Sequence, residues 1–359
     1  MGGIEPIINQ DRPIHILMKR IRSRKIPHAL LFTGIDGIGR YQTAVRFATT
    51  VNCTGRTAIR IDSSDPGTLN ERDDAPHFPV CGTCPSCKKI ITGNHPDILH
   101  IKPAGSAIKI DQIRSLRDTL SLKPYEARHR VAILESAQEM TIPAFNALLK
   151  ILEEPPERTT IILIANKSSD LLPTIVSRCQ QIRFAPAPDD QIARSLADRQ
   201  GVGMKRAHIA AAMAGGSFDV AKKMASNQWQ RQRDWMLNEM TLIGQGKPKN
   251  GKVSIRRTMA LAETLTNDRQ MLDNVLVAIK SWLRDLSLWP FMPEDIINLD
   301  MATQIGKLAS AIDADTFFTG FTAMDTIEKQ IRANANPRLA LETYFIKLTH
   351  NLSASGGSG

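Results

Sequence analysis

The run Gly34-Ile35-Asp36-Gly37-Ile38-Gly39-Arg40-Tyr41 decides the fold of the first part of this chain. It follows the apolar residues 29–32 and precedes residues 43–48, whose composition favours a helix. A strand, a glycine-rich turn and a helix together form a phosphate-binding loop, because backbone N–H groups of the turn and of the helix N-terminus cradle phosphate oxygens. The sequence therefore predicts an α/β domain of nucleotide-binding ancestry. The candidate nucleotide-contacting residues are Gly34, Gly37, Gly39, Arg40 and Tyr41.

Two residues of this loop depart from a working phosphate site. The working pattern ends in Gly-Lys-Ser/Thr, where the lysine contacts the β- and γ-phosphates and the hydroxyl binds Mg²⁺. This chain has Arg40 in place of the lysine and Tyr41 in place of the hydroxyl residue. Arginine is longer and planar, so it does not replace a point charge, and a tyrosine ring would crowd the metal. These two substitutions therefore make ATP binding doubtful.

The carboxylate pair that completes such a site is also altered. Residues 131–134 form an apolar, partly β-branched run that predicts a buried parallel strand. A phosphohydrolase places Asp-Glu at the end of this strand, to hold Mg²⁺ and to polarise the attacking water. Here Glu135 and Ser136 follow the strand, and a serine cannot act as a general base at neutral pH. We therefore expect no intrinsic catalysis.

Four of the five cysteines predict a metal site. Cys81, Cys84 and Cys87 repeat at Cys-x-x-Cys spacing, which aims thiolates at one tetrahedral ion, and Cys53 supplies a fourth ligand. We expect a structural Zn²⁺ in an insertion at about residues 53–90, whose stretch 62–67 is polar and turn-rich. Reduced or disulfide-bonded cysteines in an ordinary loop are the alternative, and a redox pair is a further one. The fifth cysteine, Cys179, is interpreted as a packing residue.

The pattern of apolar residues divides the chain. Strand-like and helix-like runs alternate over the first 185 residues, which predicts a parallel sheet covered by helices. After residue 186 the pattern is helical throughout. We predict an α/β domain at residues 1–186, a small helical domain at 187–226, a larger helical domain at 227–352 and a flexible tail at 353–359. The larger helical domain contains all four tryptophans, Trp229, Trp235, Trp282 and Trp289.

Charge and hydropathy restrict the classes of protein. The net charge is +10 and the sequence pI is near 9.5, which favours acidic partners, nucleic acid first, over a merely solvated basic surface. The basic loop at residues 244–252 and the basic residues at 19–25 are interpreted as solvated segments, with nucleic-acid contact as the alternative. No apolar run approaches the roughly 18 residues of a membrane span, and the N-terminus lacks the core of a signal peptide. We expect a cytoplasmic protein with no membrane partner.

Three further runs carry a resemblance to a known family. They are Asn146-Ala147-Leu148-Leu149-Lys150-Ile151-Leu152-Glu153-Glu154-Pro155-Pro156, then Leu172-Pro173-Thr174-Ile175-Val176-Ser177-Arg178-Cys179, then Asn336-Pro337-Arg338-Leu339-Ala340-Leu341-Glu342. With the phosphate loop and the four cysteines, the chain resembles the clamp-loader AAA+ subunits of bacterial DNA polymerase III over roughly residues 5–350. The resemblance implies a RecA-like AAA+ domain with a zinc module, a helical lid and an all-α collar that mediates oligomerisation.

The substitutions in the phosphate site indicate the type of subunit within that family. The tau/gamma motor subunits keep an intact phosphate loop and carboxylate pair, whereas the delta-prime type often does not. Arg40, Tyr41, Glu135 and Ser136 therefore point to the delta-prime type. The resemblance implies that the motor carries a nucleotide-sensing arginine near the position of Asp219, and an acid there would repel phosphate.

The resemblance also implies partners. Clamp loaders form a five-subunit ring with nucleotide at the subunit boundaries, and Arg178 matches the arginine finger that reaches a neighbour's γ-phosphate. The expected partners are the tau/gamma-type motor subunits, the clamp-opening delta subunit, the sliding clamp and, through the assembled complex, primed DNA. Any polymerase activity would belong to the holoenzyme. Two alternatives stay open at this point: an active tau/gamma-type ATPase and a zinc-containing DNA-binding protein that acts alone.

Overall fold

The structure is a computed structural model that describes residues 7–55, 77–244, 255–333 and 335–355. The polar stretch 62–67, residues 245–252 of the basic loop and the last four residues of the tail lie outside those ranges. The chain divides into two compact units, one of residues 1–191 with 216–219, the other of residues 192–215 with 220–359. The finer division into three domains stays a prediction.

The first unit contains a parallel sheet, as the alternating pattern predicts. Its strands are β1 (Ala29–Thr33), β2 (Ile98–Ile101), β3 (Arg130–Leu134), β4 (Thr159–Ala165) and β5 (Gln180–Arg183). They pair in the order β2-β3-β4-β1-β5, and every pairing is parallel. Every residue of β1, β3 and β4 is buried, because helices cover both faces of the sheet. Strands β1 and β3, which carry the two halves of the candidate phosphate site, lie on either side of β4.

Among the residues that the structure describes, six α-helices lie wholly in this unit. They are α1 (Asp11–Arg22), α2 (Arg40–Asn52), α3 (Pro85–Ile91), α4 (Ile110–Ser121), α5 (Ile142–Glu153) and α6 (Pro173–Val176). Leu30 and Phe32 of β1 pack in one core cluster and Leu31 in another, since neighbouring side chains of a strand point to opposite faces. Helix α5 buries a stripe of Phe145, Leu148 and Leu152 at helical spacing, with Leu149 partly buried, and it ends before the two prolines.

The second unit is helical, as predicted. Helices α7 (Asp189–Gln200), α8 (Met204–Met213) and α9 (Phe218–Met224) are short, and the first and last of them begin in residues of the first unit. Six further α-helices follow in the described part of the chain: α10 (Asn227–Gly244), α11 (Ile255–Thr266), α12 (Arg269–Leu288), α13 (Ala302–Ala309), α14 (Ala314–Arg332) and α15 (Pro337–Ser355). Helix α15 therefore includes residues 353–355, which the sequence assigns to the tail.

One apolar core holds α10 to α15 together. Trp282 is fully buried in it, with its ring edge-on to Phe317 at 6.4 Å between centroids. Trp235 and Trp289 are partly buried against the same core. Throughout the described ranges, every helix is either too short or too polar to cross a lipid bilayer.

Candidate functional site

Helix α2 carries both candidate sites, one at each end. Arg40 of the phosphate-binding loop is its first residue, and Cys53 of the cysteine cluster is its C-cap. Thirteen residues at 1.5 Å per residue separate the two ends by roughly 20 Å. The same helix therefore places a candidate anion site at its N-terminus and a candidate metal site at its C-terminus.

The phosphate-binding loop has the backbone that its glycines predict. Gly37 and Gly39 have φ angles of +73° and +96°, in the left-handed region that glycine adopts without strain. A Cβ on Gly37 would overlap the hydroxyl of Ser217 and lie 2.9 Å from the Cβ of Asp219. The N–H of Asp219 donates to the Gly37 carbonyl at 3.2 Å. The missing side chain at position 37 thus lets residues 217–219 close against the loop.

The Arg40 guanidinium donates hydrogen bonds to groups of its own chain. Its side chain is 6% exposed, and its guanidinium donates to the Ala165 carbonyl, to the Asp36 carboxylate and, at 3.1 Å, to Asn166 Oδ1. These acceptors lie on the loop and at the end of β4. Burial lowers the pKa of Arg40, while the charges of Asp36 and Glu135 oppose that shift. The planar fork therefore joins the loop to the sheet, which a lysine could not do in this geometry.

Tyr41 fills the position of the metal-binding hydroxyl with a stacked ring. Its ring lies 4.7 Å from that of His100 at 25° between planes, and its Oη lies 3.4 Å from His100 Nδ1. His100 Nε2 in turn lies 3.1 Å from Glu135 Oε2. The adjacent His100 ring is the main influence that keeps the pKa of Glu135 below its ordinary value, against burial, which raises it. Glu135 is thus paired with a side chain of the protein.

A cavity of about 260 Å³ opens between these groups. Gly37, Gly39, Arg40, Tyr41, Glu135 and Ser136 line it, so the structure brings six of the seven predicted residues together; the other wall residues are Asp36, Gln42, Gln138, Ile164, Asn166 and Asp219. Gly34 lies at the start of the loop instead, where an added Cβ would meet the Phe184 carbonyl at 2.9 Å. Among the lining residues three carboxylates face one guanidinium, so the wall disfavours a polyphosphate.

The four predicted cysteines form one cluster at the other end of α2. The sulfur atoms of Cys53, Cys81, Cys84 and Cys87 all lie within 4.8 Å of one another. Cys81 Sγ and Cys87 Sγ are 3.8 Å apart. Two sulfurs of a tetrahedral Zn–S₄ site with bonds of about 2.3 Å are separated by about 3.8 Å, so the spacing fits. Cys84 caps α3, and its sulfur accepts the Cys87 N–H at 3.4 Å.

The environment of the sulfurs also fits a cation. Hydrogen bonds from the backbone at Cys84 and Thr83 lower the pKa of Cys81 to about 5, which favours the thiolate. Burial raises the pKa of Cys87 far above its ordinary value. A buried thiolate of that kind is stabilised by a bound cation, and thiolate is the form that ligates metal. The cluster can therefore hold one tetrahedral ion.

Arg178 lies outside the cavity, just after α6. It is 36% exposed, donates to the Thr174 carbonyl at 2.9 Å and pairs with Glu153 Oε1 at 2.7 Å. An exposed pair of this kind contributes about 0–1 kcal/mol, so the guanidinium can exchange partners at little cost. The next residue, Cys179, is buried in the core, and burial raises its pKa to about 12. The prediction that Cys179 is a packing residue is confirmed.

Sequence reasoning missed the partners of the two substituted loop residues. His100 lies in β2, and its place in the pocket depends on the pairing of β2 with β3, which local patterns do not specify. Asn166 had an available signal, because a polar residue directly after a buried parallel strand lies at the edge of the sheet where ligands bind.

Comparison with known proteins identifies the family. The profile of the family described as "DNA polymerase III, delta subunit" matches residues 9–188, half of this chain. The chain is similar to DNA polymerase III subunit delta' of Bacillus subtilis, with 26% identity over 94% of this chain and 96% of that protein. It is 32% identical to subunit delta' of Pseudomonas aeruginosa over 57% of this chain and 58% of that protein.

The motor subunits are similar over a shorter part. Subunit tau of Bacillus subtilis is 33% identical over 50% of this chain, and the match spans only 28% of tau. The delta' subunit of the same organism, in contrast, matches almost from end to end. Together with the profile match over residues 9–188, these comparisons show that the chain belongs to the DNA polymerase III delta subunit family.

Proposed function

We propose that this chain is the delta-prime-type subunit of a bacterial clamp loader and acts as a non-hydrolysing AAA+ stator. In this role it helps a ring of subunits load the sliding clamp onto primed DNA in the cytoplasm. Its partners would be tau/gamma-type motor subunits and a clamp-opening delta subunit. The division into AAA+ domain, helical lid and collar is part of the proposal, and it comes from the family resemblance.

The observation that carries the proposal is the state of the phosphate site. Arg40 bonds to Asp36, Ala165 and Asn166, and Glu135 faces His100. The groups that would bind phosphate and metal are therefore missing or engaged within the chain. The loop and its helix still have the geometry of a nucleotide-binding domain. A subunit of this kind supports the ring through its fold and needs no turnover of its own.

We further propose that Arg178 acts as an arginine finger on a neighbouring motor subunit. It lies outside the lining of its own cavity, so it has no role there. Its present partner, Glu153, is 51% exposed, and exchanging that weak ion pair for a γ-phosphate would cost little. In GTPases, an arginine supplied in trans increases the rate about 10³- to 10⁵-fold by stabilising transition-state charge.

The test is the ATPase rate of a ring reconstituted with motor subunits, delta subunit, clamp and primed DNA. Arg178→Ala should fold, retain its metal and assemble, and should lower DNA-stimulated hydrolysis and clamp loading. Arg178→Lys should restore only part of the rate, since lysine lacks the planar fork. Glu153→Gln, which removes the competing carboxylate, should leave the rate intact.

Arg117→Ala is the matched control. Arg117 is an exposed arginine of the same unit, paired with Asp118 at 2.9 Å. A wild-type rate with Arg178→Ala, or an equal loss with Arg117→Ala, would show that Arg178 is an ordinary surface residue.

The cysteine cluster supports a second part of the proposal, a structural Zn²⁺. Four thiolates leave no open coordination position, so the ion would cross-link the end of α2 to α3 without taking part in catalysis. Metal analysis of freshly purified protein should give one zinc per chain. A fresh, folded preparation without stoichiometric metal would exclude this part.

The similarity to tau supports one alternative function, an active ATPase. Hydrolysis by the isolated chain that is abolished by Glu135→Ala would establish it. The positive net charge supports a second alternative function, a DNA-binding protein that acts alone. Tight, salt-sensitive DNA binding without partner subunits would favour that function.

A further inference from the structure

The loop before β3, residues 122–129, has no regular secondary structure, yet its backbone is held in place by hydrogen bonds. The N–H groups of residues 125–127 donate to the buried carboxylate of Asp97 at 3.0, 2.8 and 2.8 Å. The Arg130 guanidinium donates to the Leu122 carbonyl at 2.7 Å. A ligand that binds this loop therefore loses little affinity to the ordering of its backbone.

Two large apolar side chains of this loop are exposed. Tyr125 is 84% exposed, the largest value among the large apolar side chains that the structure describes, and Leu122 is 68% exposed. A tyrosine supplies a large contact area and has only two χ angles to order when it binds. The ring of Tyr125 is therefore available to stack on a planar ligand.

A second basic segment lies beside this loop. Strands β1, β3 and β4 are parallel, so the loops that precede them meet at one edge of the sheet, opposite the edge that carries the phosphate site. The Thr160 hydroxyl donates to the Pro27 carbonyl at 2.8 Å and lies 2.8 Å from His129 Nε2, which joins the loops before β1 and β3. The basic run at residues 19–25 therefore ends at the same edge as the loop 122–129.

Positive charge predominates on these two segments. Among the exposed side chains of residues 23–28 and 122–129, four are basic and one is acidic: Arg24, Lys25, Lys123 and Arg128 against Glu126. The Glu126 carboxylate is itself paired with Lys89 Nζ at 2.7 Å. Residues 157 and 158, before β4, add one charge of each sign. This edge of the sheet is therefore complementary in charge to a polyanion.

We propose that this edge binds single-stranded nucleic acid, with Tyr125 stacked on an unpaired base and Lys25, Lys123 and Arg128 beside the phosphates. Proteins that bind single strands combine a basic surface with aromatic rings on which bases stack. A duplex hides the faces of its bases, so the exposed ring favours a single strand. Two apolar side chains are too few for the apolar centre of a protein interface.

The test measures binding of a fluorescein-labelled oligothymidylate to the full-length chain by anisotropy, at low salt, where the electrostatic part of binding is strongest. Tyr125→Ala should weaken binding by about 5- to 150-fold, which is the range that loss of one base stack gives. Tyr125→Phe should bind as the unmodified chain does, because it keeps the ring. Phe291→Ala is the matched control, since Phe291 is an aromatic residue of the second unit and is 74% exposed.

The salt dependence of binding tests the basic residues. Lys123→Gln and Arg128→Gln should each reduce the slope of log K against log salt by about 0.7, the value for one phosphate of a single strand. Lys167→Gln is their control, because Lys167 is exposed and follows β4 at the opposite edge of the sheet. It should leave the slope unchanged.

Three outcomes would overturn the inference. They are no binding by the unmodified chain at low salt, a loss with Tyr125→Ala no greater than with Phe291→Ala, and equal affinity for a duplex of the same length. Each would leave the loop as a surface for another class of partner, such as an acidic protein. The inference does not rest on the proposed function. At near-physiological salt it requires only a dissociation constant of about 10⁻⁴–10⁻⁶ M, weaker than a DNA-binding protein that acts alone would show.

Discussion

The two ends of α2 differ in what their side chains bind. At the N-terminal end, Arg40 and Tyr41 contact other side chains and carbonyls of the chain, and the pocket wall carries an excess of carboxylates. At the C-terminal end, four sulfurs converge within 4.8 Å at a spacing that fits one ion. At the first end the side chains contact groups of the chain, whereas at the second end four sulfur donors converge.

The proposed function accounts for this difference. A nucleotide site is needed for turnover, so a subunit that does not turn over can convert it into internal packing. A structural metal contributes folding free energy directly, since the unfolded chain does not form the site. The following experiments test whether the side chains at the N-terminal end stabilise the fold and whether the sulfurs at the C-terminal end bind an ion.

The largest effect is expected from Cys84→Ser. Removing one of four thiolates should abolish stoichiometric zinc and loosen the insertion, which would appear as a lower Tm and faster proteolysis between residues 53 and 90. Cys179→Ala is the control, because Cys179 lies in the sheet core and outside the cluster. If Cys84→Ser retains one zinc per chain, the two ends of α2 do not differ as described.

Acid should destabilise the fold near the C-terminal end of α2. His129 is buried, its Nε2 lies 2.8 Å from Thr160 Oγ1, and burial together with Arg158 lowers its pKa from 6.5 to about 4. Between these pH values His129 binds a proton in the unfolded chain but not in the folded chain. The free energy of unfolding therefore falls as the pH decreases from about 6.5 to about 4. A shift of this size corresponds to roughly 3 kcal/mol.

Denaturant unfolding at pH 7 and pH 4.5 measures this contribution. His129→Gln should lose less unfolding free energy between the two pH values than the unmodified chain. Equal losses in both proteins would mean that His129 does not titrate as the structure implies.

A smaller effect is expected from Arg40→Met, which keeps the length of the side chain but removes its donors. The free energy of unfolding should fall by about 1–3 kcal/mol, because buried hydrogen bonds of a charged group are lost. Zinc content should not change. Arg114→Ala, at an exposed arginine, is the control. Unchanged stability of Arg40→Met would mean that the N-terminal end is not structural.

The smallest effect is expected from rebuilding the loop. Arg40→Lys combined with Tyr41→Thr should leave ATP hydrolysis by the isolated chain at background, because Ser136 still supplies no second carboxylate and Asp219 remains beside the loop. A clear rate from this double variant would show that the two loop positions alone account for the loss of activity.

Sequence reasoning predicted the regular elements well and the tertiary contacts less well. The apolar runs 29–32 and 131–134 were predicted from local pattern, and the strands lie at Ala29–Thr33 and Arg130–Leu134. The cysteine cluster followed from ligand spacing, since Cys81, Cys84 and Cys87 already constrain one another. The contacts of Arg40 with Asn166 and of Tyr41 with His100 span 126 and 59 residues. They depend on strand order, so no local pattern specifies them.

The glycines also show that a local sequence pattern does not reveal tertiary contacts. Gly37 and Gly39 were identifiable because a phosphate-binding loop needs their backbone conformation. Gly55 has an ordinary backbone conformation, and its requirement comes only from the Cys81 atoms that approach it. A residue constrained by a distant neighbour cannot be recognised from its own sequence context.

Asn52, the last residue of α2, has a consequence for exchange kinetics. Its Oδ1 accepts the N–H groups of Arg128 and His129 at 2.9 and 3.1 Å, and its Nδ2 donates to the His129 carbonyl at 2.8 Å. These two amides can exchange their hydrogens with solvent only when the end of the helix separates from the start of β3. Their deuterium uptake therefore measures how often the C-terminal end of α2 opens, and the measurement needs neither nucleotide nor partner subunits.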